Sequence, residues 1–173
     1  MIRPAAALIA LALLASCPQV RHRVDEVRAP DLETAAMLRG LVRDPGDVDV
    51  AGLYARDTDR VCVVRQGGGY RVGAYVDYGE GIACSGAGTL ARSGERLTVA
   101  LGKGCEFDAR FDGDRIVFPA TVPASCARLC GGRASFAALN ATRLSDSPAE
   151  AAAMRDVGGG LPCAGLDVHV KVR

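Results

Sequence analysis

Apolar and polar residues alternate along short segments through most of the chain, and glycine or aspartate turns separate these segments. In the clearest pair, Leu97, Val99 and Leu101 share one face, and the next segment places Phe107 and Phe111 on one face with charged residues between them. A period of two predicts strands with one buried and one exposed face. We predict eight strands, at Val48–Ala55, Arg60–Gln66, Tyr70–Tyr78, Cys84–Arg92, Arg96–Leu101, Cys105–Asp112, Arg115–Pro119 and Arg133–Leu144.

The order and spacing of these strands predict a mainly β fold, a small up-and-down antiparallel barrel. The connectors, among them Gly67-Gly68-Gly69 and Asp112-Gly113-Asp114, suit tight turns between neighbouring strands. Closure into a barrel is favoured because it removes exposed strand edges. An open sandwich is the alternative, and the pattern leaves open whether the barrel interior is hollow or filled.

Two helices flank the predicted strands. Asp31 is a suitable N-cap for a helix over residues 32–42, which we expect to cover one end of the fold. Ser147–Glu150 forms a capping box with proline at the first helical position, and it opens an alanine-rich helix that ends before Gly158. The alternating residues 166–173 then either add a ninth strand or fray.

The start of the chain has the pattern of an export signal. Arg3 precedes an apolar run from Ala5 to Ala15 that is too short for a stable membrane span. The tetrapeptide Leu14–Cys17 resembles the lipobox of bacterial lipoproteins, in which the cysteine is acylated and becomes the new N-terminus. Cleavage after Ala15 by an ordinary signal peptidase would need a small residue where Leu13 stands. The resemblance implies a signal peptide over residues 1–16 and a lipid on Cys17.

The residues after Cys17 predict where the protein is attached. Pro18 follows the cysteine, whereas in the lipoproteins that this chain resembles an aspartate at that position signals retention in the inner membrane. We therefore expect an outer-membrane lipid anchor facing the periplasm. Residues 17–30 mix arginines with acids and few large apolar residues, which is typical of a solvated tether. Residues 31–173 then have a usual length for a single barrel domain with flanking helices.

Charge limits the classes of partner. Loss of residues 1–16 removes only Arg3 from the charged residues, so 21 basic residues become 20 against 20 acidic ones. A mature net charge of about zero makes nucleic acid an unsuitable partner. The expected partners are the lipid bilayer, through the acyl anchor, and a protein in the periplasm.

Six cysteines remain after Cys17, and in an exported protein they predict disulfides. They are Cys62, Cys84, Cys105, Cys126, Cys130 and Cys163. If Gly94-Glu95 forms the hairpin turn, residues that face each other sum to 189, which pairs Cys84 with Cys105 on the buried face. A turn at Ser93-Gly94 would leave these two cysteines as diagonal neighbours.

Cys126 and Cys130 form a C-x-x-x-C motif, whose helical spacing presents both sulfurs on one face. One interpretation is structural: a disulfide between them, or disulfides to Cys62 and Cys163. The other is chemical, because the motif with a distant histidine resembles the copper site of thioredoxin-like assembly factors for respiratory oxidases. That resemblance implies a Cu(I) site completed by His169.

Further resemblances concern the barrel. Gly52-Leu53-Tyr54 opens the first predicted strand and resembles the G-x-W start of lipocalin-type barrels, which implies a lipocalin-like architecture. The plan of the chain resembles that of lipoproteins from Gram-negative bacteria, among them the membrane-bound inhibitors of c-type lysozyme. The serine and glycines of their inhibitory loop correspond here to Ser85, Gly86 and Gly88, followed by Thr89 and Leu90.

Residues for catalysis do not form a recognisable set. The two histidines, His22 and His169, lie in the tether and in the alternating tail, and Ala83 stands where a nucleophile elbow needs its first glycine. We therefore expect no enzyme and no cofactor. The sequence favours a non-enzymatic binding or envelope-maintenance lipoprotein, with lysozyme inhibition as the second hypothesis and copper binding as the third.

Overall fold

The computed structural model describes residues 31–41 and 44–164, and it contains a closed antiparallel barrel. Each strand pairs with its neighbour in the chain, and β1 pairs with β8 to close the sheet. The strands are β1 Gly52–Arg56, β2 Asp59–Gln66, β3 Gly69–Asp77, β4 Ala83–Ser93, β5 Arg96–Ala100, β6 Glu106–Phe111, β7 Arg115–Val117 and β8 Asn140–Ser145. The predicted eight-stranded up-and-down barrel is thus confirmed.

The barrel interior is filled. Inward-facing side chains from every strand form one buried cluster, with Tyr54, Phe111 and Leu97 fully buried in it. None of the buried residues in the described part of the chain is polar or charged. A lumen packed with apolar side chains has the density of a protein core. Of the two possibilities that the sequence left open, the structure shows a filled barrel.

One end of the barrel is closed by the segment from Phe118 to Leu139, between β7 and β8. Phe118, Phe136 and Leu139 pack into the core, and a 3-10 helix at Ala124–Leu129 contributes buried Cys126 to the same core. The sequence predicted a strand from Arg133 to Leu144, whereas β8 begins only at Asn140. The apolar residues at 136 and 139 were taken for strand positions, but they are buried because the loop folds over the end of the barrel.

Three disulfides join the six described cysteines, and the predicted Cys84–Cys105 pair is wrong. Cys84 bonds Cys130 and Cys105 bonds Cys126, while Cys62 bonds Cys163. The hairpin register itself was right, since Leu90 faces Val99 and these numbers sum to 189. The register does not reach the cysteines because β5 ends at Ala100 and the chain reverses before Cys105.

The C-x-x-x-C motif therefore fastens the loop to two different parts of the barrel wall. Its cysteines are bonded neither to each other nor to Cys62 and Cys163, the alternatives that the sequence suggested. Cys126 is buried and bonds Cys105, which lies in the turn just before β6. Cys130 bonds Cys84 on β4 and forms a β-bridge with it. The two cysteines of the motif thus hold the end-closing loop to separate parts of the sheet.

The flanking helices are shorter than predicted. Helix α1, Leu32–Leu38, is capped by Asp31 as expected, but none of its residues is buried, so it does not cover an end of the barrel as predicted. Helix α2, Pro148–Ala153, begins with the predicted Ser147 cap, whose hydroxyl accepts a hydrogen bond from the Glu150 N–H. Of the described helices, none is long and apolar enough to cross a bilayer.

Helix α2 packs outside the barrel wall. Ala151 and Met154 form a second buried cluster with Cys62 and Cys163, whose disulfide bridges 101 positions in the chain. Pro162 packs directly over Gly73 on β3, where a Cβ would lie 2.5 Å from the proline ring. The wall beneath the C-terminal segment is therefore built from residues small enough to admit it.

Candidate binding groove

The second end of the barrel is closed by the segment Asp44–Ala51, which lies outside the strands. The sequence predicted that β1 begins at Val48, but the strand starts at Gly52, and Val50 and Ala51 are buried across the barrel end. A buried backbone without strand pairing needs other hydrogen-bond partners. Here the side chains of the barrel provide them, and this is why the segment can cover the end without joining the sheet.

Two arginines and one tyrosine hold this segment. Arg143 Nη1 donates to the Ala51 carbonyl at 2.8 Å and its Nη2 donates to the Asp49 carbonyl at 2.7 Å. The Tyr54 hydroxyl donates to the Val50 carbonyl at 2.7 Å. Arg92 donates to the carbonyls of Val48 and Pro45. Five carbonyls of the segment are thus bonded to three side chains of the barrel.

The same arginines stack on the aromatic residues below them. The Arg143 guanidinium lies 4.9 Å from the centre of the Tyr54 ring, and Arg92 lies 5.0 Å from that of Phe111. The two rings meet edge to face at 6.3 Å. Gly52 makes the arrangement possible, because a Cβ at this position would lie 2.8 Å from Arg143 Nη1. The Gly52–Tyr54 motif therefore has a structural role at the closed barrel end.

A surface groove of about 760 Å³ lies beside the segment. Its residues come from the segment, from β2, and from β8 with the start of α2. The apolar lining consists of Val48, Ala51, Val64 and Pro148. The charged lining consists of Asp44, Asp47, Asp49, Asp146, Arg65 and Arg143. This volume is within the usual range of ligand sites, roughly 300–1,000 Å³.

Asp49 is the most strongly bonded carboxylate of the groove. One oxygen accepts from Arg65 Nε at 2.9 Å, and the other accepts from the Tyr70 hydroxyl at 3.0 Å and from the Ala51 N–H at 3.2 Å. Burial raises the pKa of Asp49, but the hydrogen bonds and the charge of Arg65 outweigh it and hold the pKa below its usual range. Burial and the bond to Asp49 together raise the pKa of Tyr70.

The remaining acidic residues of the groove accept fewer hydrogen bonds than Asp49. Asp44 accepts a hydrogen bond from the Gly46 N–H at 2.7 Å. Within residues 31–41 and 44–164, Asp47 and Asp146 form neither an ion pair nor a side-chain hydrogen bond. Four carboxylates against two guanidinium groups give the groove an excess of negative charge.

The residues compared with the lysozyme-inhibitor loop lie in the middle of β4. The Ser85 hydroxyl donates to Asp156 at 2.7 Å, and this bond, with N–H groups of Gly160 and Gly158, lowers the pKa of Asp156 against the effect of burial. A Cβ at Gly88 would lie 1.9 Å from the Ala100 carbonyl oxygen, so this glycine lets β4 and β5 approach closely. These residues form part of the wall instead of a projecting loop.

The other predicted site residues divide into two groups. Cys17 and His169 lie outside the described residues, as does the predicted strand at 166–173. The sulfurs of Cys126 and Cys130 are engaged in disulfides, so Cu(I) binding at this motif would require both bonds to be reduced. Among the described residues, no group of three or more histidine, cysteine or acidic residues is placed to hold a metal.

The groove was missed by the sequence analysis. The arginines that hold the segment beside it, Arg92 and Arg143, stand in strands where charged residues normally face solvent. Nothing in the alternation separates them from other outward positions. One local signal points to them. Gly52 leaves space beside the Tyr54 ring, and a planar guanidinium fits such a space.

Comparison with known protein families, with curated proteins and with solved structures returned no match for this chain. The fold and the groove therefore define the protein by its class: a disulfide-bonded, eight-stranded antiparallel barrel with a filled interior and both ends covered.

Proposed function

We propose that the protein is an exported lipoprotein, anchored to the outer membrane through a lipid on Cys17, and that it serves as a non-enzymatic binding protein in the periplasm. The observation that carries this proposal is the filled barrel with a separate groove at its arginine-held end. A filled lumen leaves no room for the kind of internal cavity that holds small ligands in larger barrels. Binding therefore takes place on the surface, and we assign it to the groove at the arginine-held end.

The disulfides support an oxidising location. All six cysteines of the described chain are paired, and such bonds persist outside the reducing cytosol. The proposed tether spans residues 17–30, which allows a reach of at most about 50 Å when fully extended. The barrel would then stay near the membrane surface while its groove remains open to soluble periplasmic proteins.

The anchor is tested with a Cys17→Ser variant of the full chain. We expect wild-type protein to fractionate with membranes and to incorporate labelled palmitate, and Cys17→Ser to lose both properties or to retain an uncut signal. Ser16→Ala is the matched control, because it keeps a small residue before the cysteine and should leave acylation intact. Membrane fractionation of Cys17→Ser equal to that of the wild type would refute the anchor.

A further inference from the structure

We propose that the groove binds a basic, apolar peptide segment of a protein partner, with apolar side chains on its floor and lysine or arginine side chains at its acidic rim. This inference rests on the proposed binding function and specifies the chemistry of the partner at the same groove. It is carried by two separate features, an apolar floor and a rim on which, among the described residues, carboxylates outnumber guanidinium groups.

The floor of the groove is suited to small apolar side chains. Val64 is 8% exposed and Ala51 is 7% exposed, so both are already packed beneath the surface and offer a firm base. Pro148 adds a rigid ring at the start of α2. The apolar surface that a partner can cover belongs mainly to half-buried Val48 and exposed Pro148. Contact with these two residues removes apolar surface from water on both partners and favours binding.

The rim selects for positive charge. The Asp49 carboxylate is paired with Arg65 and also accepts from Tyr70. The Arg143 guanidinium keeps its positive charge, but both of its terminal nitrogens donate to backbone carbonyls. Asp47 and Asp146 hold the charge that a partner can pair with. Outside the Asp49–Arg65 pair, the groove lining has three carboxylates against the one guanidinium of Arg143. An anionic ligand would therefore be repelled, and we assign the groove to a basic partner.

The walls of the groove are preorganised in the free protein. Asp49 and Ala51 are fixed by the two bonds to Arg143, and Val64 lies on β2 next to the wall that the Cys62–Cys163 disulfide holds. A site whose shape exists before binding pays less ordering entropy when a peptide enters. A short extended peptide can therefore bind measurably, although its contact area is small.

The experiment uses the full-length protein purified in non-ionic detergent and a fluorescent pentapeptide of alternating valine and lysine. We expect saturable binding by fluorescence anisotropy with a Kd below about 1 mM. Raising the salt from about 0.1 M to 1 M, which shortens the screening length from about 10 Å to 3 Å, should weaken it. Peptides with glutamate in place of lysine, or serine in place of valine, should bind much more weakly.

Paired variants test whether the peptide binds at the groove. Asp47→Asn with Asp146→Asn should raise the Kd by roughly two- to five-fold for each carboxylate. The matched control is Asp57→Asn with Glu80→Gln, which removes the same charge at turns on the opposite end of the barrel and should leave the Kd unchanged.

Three results would overturn the inference: no saturable binding of the valine–lysine peptide, equal binding of the glutamate peptide, or equal losses in the two pairs of variants. The anchor is judged separately. If Cys17→Ser protein remains in membranes while the peptide still binds, the lipid anchor on Cys17 is refuted and the assignment of the groove is retained. If the variant is released and no peptide binds, the groove assignment fails alone.

Discussion

Replacement of Arg143 by methionine tests whether hydrogen bonds from the barrel hold the segment Asp44–Ala51 in place. The change removes two bonds from a charged donor and the stacking on Tyr54, while it keeps a long apolar side chain in the same space. Such bonds contribute about 1.5–3 kcal/mol each, and a cation stacked on a ring about 0.5–2 kcal/mol. Because the freed carbonyls lie beside an open groove and can bind water, we expect a net loss of about 2–4 kcal/mol.

The assay is thermal unfolding with the disulfides intact, compared with an Arg65→Met variant. Both changes remove one positive charge from the same groove, but the Arg65 side chain is 68% exposed and its ion pair with Asp49 is open to solvent. An exposed pair contributes less than about 1 kcal/mol. We expect the midpoint to fall by roughly 6–15 °C in Arg143→Met and by only a few degrees in Arg65→Met.

Hydrogen exchange locates the effect. In Arg143→Met, the amides of Ala51 and its neighbours in the segment should exchange faster, while those in the middle of β4 should lose protection only as far as global stability falls. If the two variants unfold within about 0.5 kcal/mol of each other, the arginine does not hold the segment. Our account of how this end of the barrel is closed would then be wrong.

Two further predictions concern a disulfide and a carboxylate. Alanine at both Cys62 and Cys163 removes a disulfide that closes a loop of 101 residues. The chain-entropy relation predicts that the free energy of unfolding falls by about 4.7 kcal/mol. Calorimetry should show a lower unfolding midpoint, and an unchanged midpoint would contradict the stabilising role of this bond. Folding lowers the pKa of Asp49, so its carboxylate stabilises the fold above the unfolded pKa near 3.8, and this stabilisation is lost as pH falls through the lower folded value. Asp49→Asn should therefore flatten the acid side of the stability profile below about pH 4 in denaturant titrations, and a slope equal to that of the wild type would count against the network.

The alternation of apolar and polar residues predicted the barrel because each of these strands has one face in the core and one face in solvent. Alternation left two β4–β5 registers open, and the structure has the one that follows from a turn at Gly94-Glu95, since turn position fixes which residues face each other. It could not give the disulfides. Cys105 lies after a chain reversal and bonds a residue of a loop, and the position of a loop depends on packing with segments distant in sequence.

The segments that close the barrel were mistaken for strands for a physical reason. Val48 and Val50 alternate with polar residues, as do residues before β8, and a chain lying across a barrel end also has one dry and one wet side. Periodicity reports which side chains are buried, and it carries no information on which partner the backbone has. In the segment ending at Ala51 that partner is a set of side chains, chiefly Arg143, and side-chain partners leave no periodic signal.

The two barrel ends are closed by different chemistry, and the difference bears on where a partner can act. Two disulfides fix the loop that carries Cys126 and Cys130, so opening that end requires breaking covalent bonds. The segment that ends at Ala51 is held by hydrogen bonds and stacked guanidinium groups, so it can open without breaking a covalent bond. A peptide bound in the groove as proposed would contact this segment directly and stabilise its closed arrangement. The end with weaker closure is therefore the one at which binding and conformation can be coupled, and the groove lies there.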